Sequence, residues 1–89
     1  MKTTIQIGKF GEDLLSRPEG REAFLVMRSY HIPKNFNGTV ELNFDGVKVM
    51  TPSWLDEVVT GLKNDMHVEV KFLPSNNPTV TESIKAISE

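Results

Sequence analysis

The sequence predicts an α/β fold in which three or four short strands, mostly parallel or mixed, pack with about three helices. Short runs of alternating apolar residues, typical of strands, take turns with stretches whose apolar residues recur every three or four positions, as in helices. Strands that alternate with helices are joined by right-handed crossovers and form a largely parallel sheet. A chain of 89 residues has the length of one domain, so residues 1–89 are predicted to fold as a single unit.

One strand and a second, shorter extended piece precede the first helix. Ile5 and Ile7 alternate with polar residues over residues 4–8, which is the pattern of a half-buried strand. Phe10 and the apolar pair Leu14-Leu15 suggest the second extended piece.

A capping box opens the first helix. In such a box the Ser16 side chain accepts a hydrogen bond from the backbone N–H of Glu19. Pro18 suits the first turn because the backbone N–H that proline lacks would have no hydrogen-bond acceptor within the helix there. Gly20 is expected to weaken this helix by about 1 kcal/mol relative to alanine. The helix is predicted to end near Tyr30 and to turn four residues toward the core: Ala23, Phe24, Met27 and Tyr30.

The middle of the chain predicts a second strand and a second helix. Residues 40–44 alternate, and the turn signal Asp45-Gly46 after them leaves two alternatives, a tight hairpin or a kink into the next helix. Thr51 suits the N-cap of that helix and Pro52 its first position, and Asn64-Asp65 ends it. Its apolar stripe consists of Leu55, Val58, Val59 and Leu62.

The last third of the chain predicts one more strand and one more helix. Residues 68–72 alternate between apolar and charged side chains. The final helix is expected to start near Pro78 or Thr79, where Thr79 and Glu82 offer another capping box. Three apolar residues should face inward: Val80, Ile84 and Ile87.

Composition and motifs argue against several classes of function. A formal net charge of −2 without a basic run argues against a nucleic-acid binder. The absence of cysteine excludes thiolate zinc sites and cysteine nucleophiles, and the two histidines, His31 and His67, lack partners at metal-ligand spacing. Neither a serine nucleophile elbow nor a glycine-rich phosphate loop is present. We therefore expect no enzyme activity, no cofactor and no metal.

The sequence also predicts where the protein acts. Its first residues lack the apolar stretch of a signal peptide, and no run approaches the roughly 18 apolar residues that span a bilayer. We expect a cytoplasmic protein without a membrane partner.

The start of the second helix concentrates the residues of interest. Trp54, the only tryptophan, either closes the edge of the core or anchors a partner, since tryptophan is enriched at binding hot spots. The exposed N–H groups of a helix start favour a phosphate, so Ser53 and Thr51 are possible phosphorylation sites, with plain N-capping as the alternative. Asp56 and Glu57 suit the positive end of the helix dipole, and because adjacent helical positions point about 100° apart, they are not expected to converge.

Four segments of the sequence resemble, in the right order, a bacterial STAS-like family of unknown function that is related to the STAS domains of anti-sigma-factor antagonists. These segments are Leu14-Leu15-Ser16-Arg17 with a second basic residue at Arg21, then Asn43-Phe44-Asp45-Gly46-Val47, then Trp54 with Asp56 and Glu57, and finally Asn77-Pro78-Thr79-Val80. Two positions depart from the pattern, since aspartate is usual at Asn43 and phenylalanine at Trp54.

The resemblance implies a small STAS-like α/β fold and a non-enzymatic regulatory role in binding other proteins. Partner switching with a histidine-kinase-like ATPase or an anti-sigma factor is the implied activity, and sensing of a nucleotide or metabolite is the alternative. The serine commonly phosphorylated in STAS antagonists falls on Pro52 here, so Ser53 or Thr51 would replace it only by proximity.

The resemblance also draws attention to Arg17 and Arg21. Either of them is expected to pair with Asp56 or Glu57 across neighbouring helix starts; alternatively, these charged residues form a polar rim around Trp54. The predicted binding residues are Arg17, Arg21, Thr51, Ser53, Trp54, Asp56 and Glu57.

Overall fold

The computed structural model describes residues 1–88 and confirms the α/β prediction. Five strands and three helices follow one another as β1 (Lys2–Gln6), β2 (Asp13–Leu14), α1 (Arg17–Val26), β3 (Thr39–Asn43), β4 (Val49–Met50), α2 (Pro52–Thr60), β5 (Glu69–Phe72) and α3 (Pro78–Ser88). A 3-10 turn, Ile7–Phe10, connects β1 to the segment before β2. The short extended piece predicted for Phe10 and Leu14-Leu15 is present only as the two-residue strand β2, because Phe10 lies in the 3-10 turn and Leu15 follows the strand.

Both sheets are parallel. The larger one has the order β1-β3-β5, with Ile5 beside Leu42 and Leu42 beside Phe72. The smaller one pairs β2 with β4, and Leu14 lies beside Met50. This pairing decides between the two alternatives at Asp45-Gly46: the chain kinks there rather than forming a hairpin, because β4 joins β2 instead of folding back on β3.

The helices cover one face of the larger sheet, and the other face is polar. Inward residues such as Ile5, Val40 and Leu42 are fully buried with the apolar stripes of the helices. On the opposite face, the Thr4 hydroxyl donates to the Glu41 carboxylate over 3.1 Å. An amphipathic sheet of this kind needs helices on one side only.

The first helix is capped as predicted but ends differently. Ser16 Oγ accepts from the Glu19 N–H at 3.2 Å. After α1 the chain continues as a π turn, Met27–His31, in which the Ile32 N–H donates to the Met27 carbonyl at 3.0 Å. The wider π turn rotates later residues away from the α-helical stripe. Tyr30 is therefore 83% exposed, and its predicted place in the core is wrong.

Gly20 has a packing role that helix propensity does not reveal. A Cβ atom on Gly20 would lie 2.5 Å from the backbone oxygen of Trp54, and one on Gly61, just after α2, would lie 2.7 Å from the Phe24 ring. The two glycines let α1 and α2 approach each other closely. Gly20 is thus required at the helix contact, a role that adds to its low helix propensity.

Asn77, rather than Thr79, caps α3. The Asn77 carboxamide oxygen accepts from the Thr79 N–H at 2.9 Å, while the Thr79 hydroxyl accepts from the Met50 N–H at 3.1 Å. The predicted capping box of Thr79 and Glu82 is therefore replaced. The Asn77 amide also donates to the carbonyls of Val47 at 2.8 Å and Lys48 at 3.0 Å, so one side chain joins α3 to the segment before β4.

The triple role of Asn77 makes its loss costly. We expect Asn77→Ala to lower the free energy of unfolding by about 1–3 kcal/mol, because it removes a helix cap and leaves two carbonyls without their donor. Urea unfolding followed by circular dichroism measures the change. The matched control is Asn76→Ala, since the neighbouring Asn76 is exposed. Equal effects of the two substitutions would contradict the role given to Asn77.

Candidate functional site

The start of α2 is tied to the segment after β2 through Thr51. Its hydroxyl accepts from the Trp54 N–H at 3.3 Å and donates to the Leu15 carbonyl at 2.6 Å, and its backbone N–H donates to the Leu14 carbonyl at 3.0 Å. The N-cap prediction for Thr51 is confirmed. A phosphate on this hydroxyl would break the bond to Leu15, so Ser53, half-buried in the first turn of α2, is the less costly of the two possible phosphorylation sites.

A cluster of three charges lies across the starts of α1 and α2. One nitrogen of Arg17, Nη1, donates to Asp56 Oδ2 at 2.9 Å and to Glu57 Oε2 at 2.8 Å. The predicted pairing is confirmed for Arg17, whereas Arg21 pairs with Asp65 at 3.4 Å. The expectation that Asp56 and Glu57 do not converge is wrong, because the long Arg17 side chain comes from the neighbouring helix and reaches the space between them.

The two carboxylates beside Arg17 favour the charged form of its guanidinium. The hydrogen bonds that Arg17 donates to Asp56 and then to Glu57 raise its pKa above the ordinary value, with smaller Coulombic contributions from the same two carboxylates. A raised folded-state pKa contributes stability that is complete below the ordinary arginine value and is lost only above it. The cluster is half-exposed, so solvent weakens it.

Trp54 lies in the core. Its side chain is 1% exposed, which agrees with the interpretation that it closes the edge of the core. As a surface anchor the indole is not available in this conformation, because it is almost completely buried. Trp54 instead forms part of the floor of a groove.

This groove, with a volume of about 360 Å³, runs between α1 and the segment from the 3-10 turn to β2. Pro18, Glu22 and Val26 recur every four residues and form the α1 wall. The opposite wall contains Phe10 and Leu14. Val26, an apolar residue at one end of the groove, is 40% exposed. We call this feature the α1–β2 groove.

The rim of the α1–β2 groove is acidic. Asp13, Glu19 and Glu22 line it, and every other residue in its lining is apolar. An apolar floor with carboxylates around it favours a ligand that combines an apolar group with positive charge. Sequence patterns did not reveal the groove, because its two walls belong to elements whose apolar residues are equally well explained as core.

Residues 1–88 contain neither a cluster of metal ligands nor a helix suited to cross a membrane. Among residues 1–88, no three histidine, aspartate or glutamate side chains lie close enough together to hold a metal ion. None of the helices formed by these residues has both the length and the apolar character needed to cross a bilayer.

Comparison with protein families identifies the fold family. The model of the family described as "STAS-like domain of unknown function (DUF4325)" matches residues 26–79, more than half of the chain. The chain belongs to this family. No curated protein and no solved structure matches it. Membership of a STAS-like family indicates a regulatory module in general terms and names neither partner nor ligand.

The match places the STAS-like core and the groove in different parts of the chain. Residues 26–79 contain β3, β4, α2 and β5, and with them Thr51, Ser53, Trp54 and the Asp56-Glu57 pair. The walls of the α1–β2 groove precede this segment almost entirely. The groove is therefore built mainly from residues outside the matched segment, and only Val26 and Trp54 of its lining lie within it.

Proposed function

We propose that this STAS-like domain is a non-enzymatic regulatory module of the cytoplasm that binds a partner protein in the α1–β2 groove. The groove combines an apolar floor, an exposed apolar residue at Val26 and a rim of three carboxylates. Interfaces of regulatory proteins commonly have this anatomy of an apolar centre inside a polar rim. The acidic rim is the observation that supports a protein with a basic surface as the partner.

The position of the groove supports regulation as well as binding. Trp54 lies at the groove floor, and its backbone N–H donates to the Thr51 cap of α2. Binding that shifts Trp54 would therefore be transmitted to the α2 start, where Ser53 and the Arg17 cluster lie. The STAS resemblance suggests a histidine-kinase-like ATPase or an anti-sigma factor as the partner.

Sensing of a small molecule is the alternative function, and the size of the groove is the observation that favours it. Ligand pockets of proteins have volumes of about 300–1,000 Å³, a range that includes 360 Å³. The acidic rim disfavours nucleotides, whose phosphates are anionic. A thermal-shift screen against cationic and neutral metabolites tests this alternative, and a raised unfolding temperature that Glu22→Lys abolishes would support it.

Reversal of one rim charge tests the protein-binding proposal. Glu22 is exposed on the α1 wall and makes no salt bridge among the described residues, so Glu22→Lys is expected to leave the fold intact. We expect it to weaken partner binding at least about tenfold, because a like charge then faces the basic surface of the partner. Affinity capture from the native cells with quantitative mass spectrometry, followed by titration of the recovered partner, measures the loss.

A matched control separates the groove from the overall charge. Glu82→Lys makes the same substitution at an exposed position of α3, outside the groove lining. We expect Glu82→Lys to bind like the unmodified protein. Equal losses for both variants, or no loss for Glu22→Lys, would contradict binding in the α1–β2 groove.

A further inference from the structure

One edge of β2 is unpaired. The hydrogen bonds between β2 and β4 show which backbone groups lie at that edge. The Glu12 carbonyl accepts from the Val49 N–H at 3.0 Å, and the Leu14 carbonyl accepts from the Thr51 N–H at 3.0 Å. These bonds point toward β4. Since backbone groups of successive strand residues point to opposite edges, the N–H and C=O of Asp13 point away from β4. No other strand of residues 1–88 pairs with β2.

This unpaired edge borders the α1–β2 groove. Asp13 and Leu14 line the groove on one side, and the α1 wall with Glu22 and Val26 lies opposite them. A strand edge that faces a helix across an apolar floor provides two kinds of contact at once. The edge offers backbone hydrogen bonds, and the floor offers a place for side chains, which is the arrangement used in recognition by strand addition.

The geometry points to an extended segment of the partner protein as the occupant of the groove, added as a strand beside β2 through the N–H and C=O of Asp13. The assignment rests on the proposed function and specifies how the partner binds. An extended segment directs alternate side chains to opposite faces. One apolar side chain would enter the groove above Trp54 and Ala23, and flanking lysine or arginine side chains would meet the rim carboxylates of Asp13, Glu19 and Glu22.

The shortness of β2 determines what the segment must contain. A two-residue strand offers the backbone groups of one outward residue, so backbone pairing alone does not distinguish one sequence from another. Selectivity then comes from the apolar side chain and from its basic neighbours. We expect a short motif in which basic residues flank an apolar, β-branched centre.

Two substitutions at Asp13 isolate the backbone bond. Asp13→Asn removes the carboxylate and keeps the N–H, whereas Asp13→Pro removes both; proline is tolerated at an edge whose N–H is not used by the ladder. We expect Asp13→Pro to bind roughly three- to tenfold more weakly than Asp13→Asn, the loss that corresponds to one hydrogen bond. Thermal unfolding of both variants verifies that each remains folded.

Designed peptides provide the probe and a second measurement. Nine-residue fluorescent peptides with a Val-Thr-rich centre flanked by lysines are compared, by anisotropy, with Ala-rich helical peptides of equal charge and with glutamate-flanked versions. We expect only the lysine-flanked extended peptides to bind. Methylation of a backbone nitrogen should weaken their binding only at every second residue, because only alternate N–H groups of an added strand face β2. Stronger binding of the helical peptides, or no dependence on N-methylation, would overturn strand addition.

The outcomes separate this assignment from the proposed function. If Glu22→Lys abolishes capture of the partner while Asp13→Pro binds like Asp13→Asn, the groove is the binding site but strand addition is wrong. If the unmodified chain forms dimers that Asp13→Pro disrupts, the strand comes from a second copy, and the assignment to a partner protein is overturned. If Glu22→Lys binds the partner normally, the proposed function itself is contradicted, whatever the Asp13 variants show.

Discussion

Replacement of Trp54 by alanine is expected to lower the free energy of unfolding by about 3–5 kcal/mol, the range for removal of a fully buried large aromatic side chain. The side chain is 1% exposed and belongs to the core cluster, so its removal eliminates many packing contacts in the core. Domains of this size are stable by about 5–15 kcal/mol, and the loss would remove a large part of that margin. Urea unfolding followed by circular dichroism measures it.

The control is Trp54→Phe, which keeps an aromatic ring in the core and introduces the residue that is usual at this position in the resembling family. We expect a clearly smaller loss than for alanine, because less volume is left empty. Similar losses for both substitutions, or a negligible loss for alanine, would contradict the buried position. A loss of binding after Trp54→Ala alone therefore does not demonstrate direct contact with a partner.

Gly20→Ala is expected to lower the free energy of unfolding by about 1–3 kcal/mol, although alanine is the better helix former. The added methyl group would lie 2.5 Å from the Trp54 carbonyl oxygen and 3.0 Å from its Cα. Both are backbone atoms that cannot turn aside as a flexible side chain would, so α1 and α2 must move apart. The gain in helix propensity, about 1 kcal/mol, offsets only part of this cost. Thermal unfolding by calorimetry measures the change.

A substitution on the exposed side of the same helix controls for propensity. Glu22→Ala also places an alanine in α1 and creates no clash, since Glu22 is exposed. We expect its effect to stay within about 0.5 kcal/mol. A stabilising Gly20→Ala would show that the two helices are farther apart than described.

Capping residues and apolar spacing predicted most helices and strands correctly, because these features lie within or next to the element that they specify. Ser16 and Thr51 accept hydrogen bonds from the N–H groups expected of N-caps, and the stripe of α2 is buried as its spacing predicts. The predictions failed where a contact with a distant part of the same chain determines the local structure. Asn77 displaces Thr79 as the cap because its side chain also donates to the carbonyls of Val47 and Lys48. Val47 lies 30 residues earlier in the sequence and Lys48 lies 29 residues earlier.

The candidate site was only partly predictable for the same reason. The pairing of Arg17 with Asp56 or Glu57 followed from two neighbouring helix starts, but their convergence on one nitrogen depends on how closely α1 and α2 pack. The α1–β2 groove depends on the pairing of β2 with β4, which short apolar runs do not specify. Tyr30 was misplaced because a π turn leaves no clear mark in the sequence.

The most direct test of the central claim is a map of where the partner touches the domain. We would record amide spectra of the ¹⁵N-labelled domain before and after addition of the captured partner. Binding in the α1–β2 groove predicts the largest shifts at Asp13, Glu22 and Val26, together with the indole N–H of Trp54. Shifts confined to α3, or to the polar face of the sheet around Thr4 and Glu41, would contradict the account.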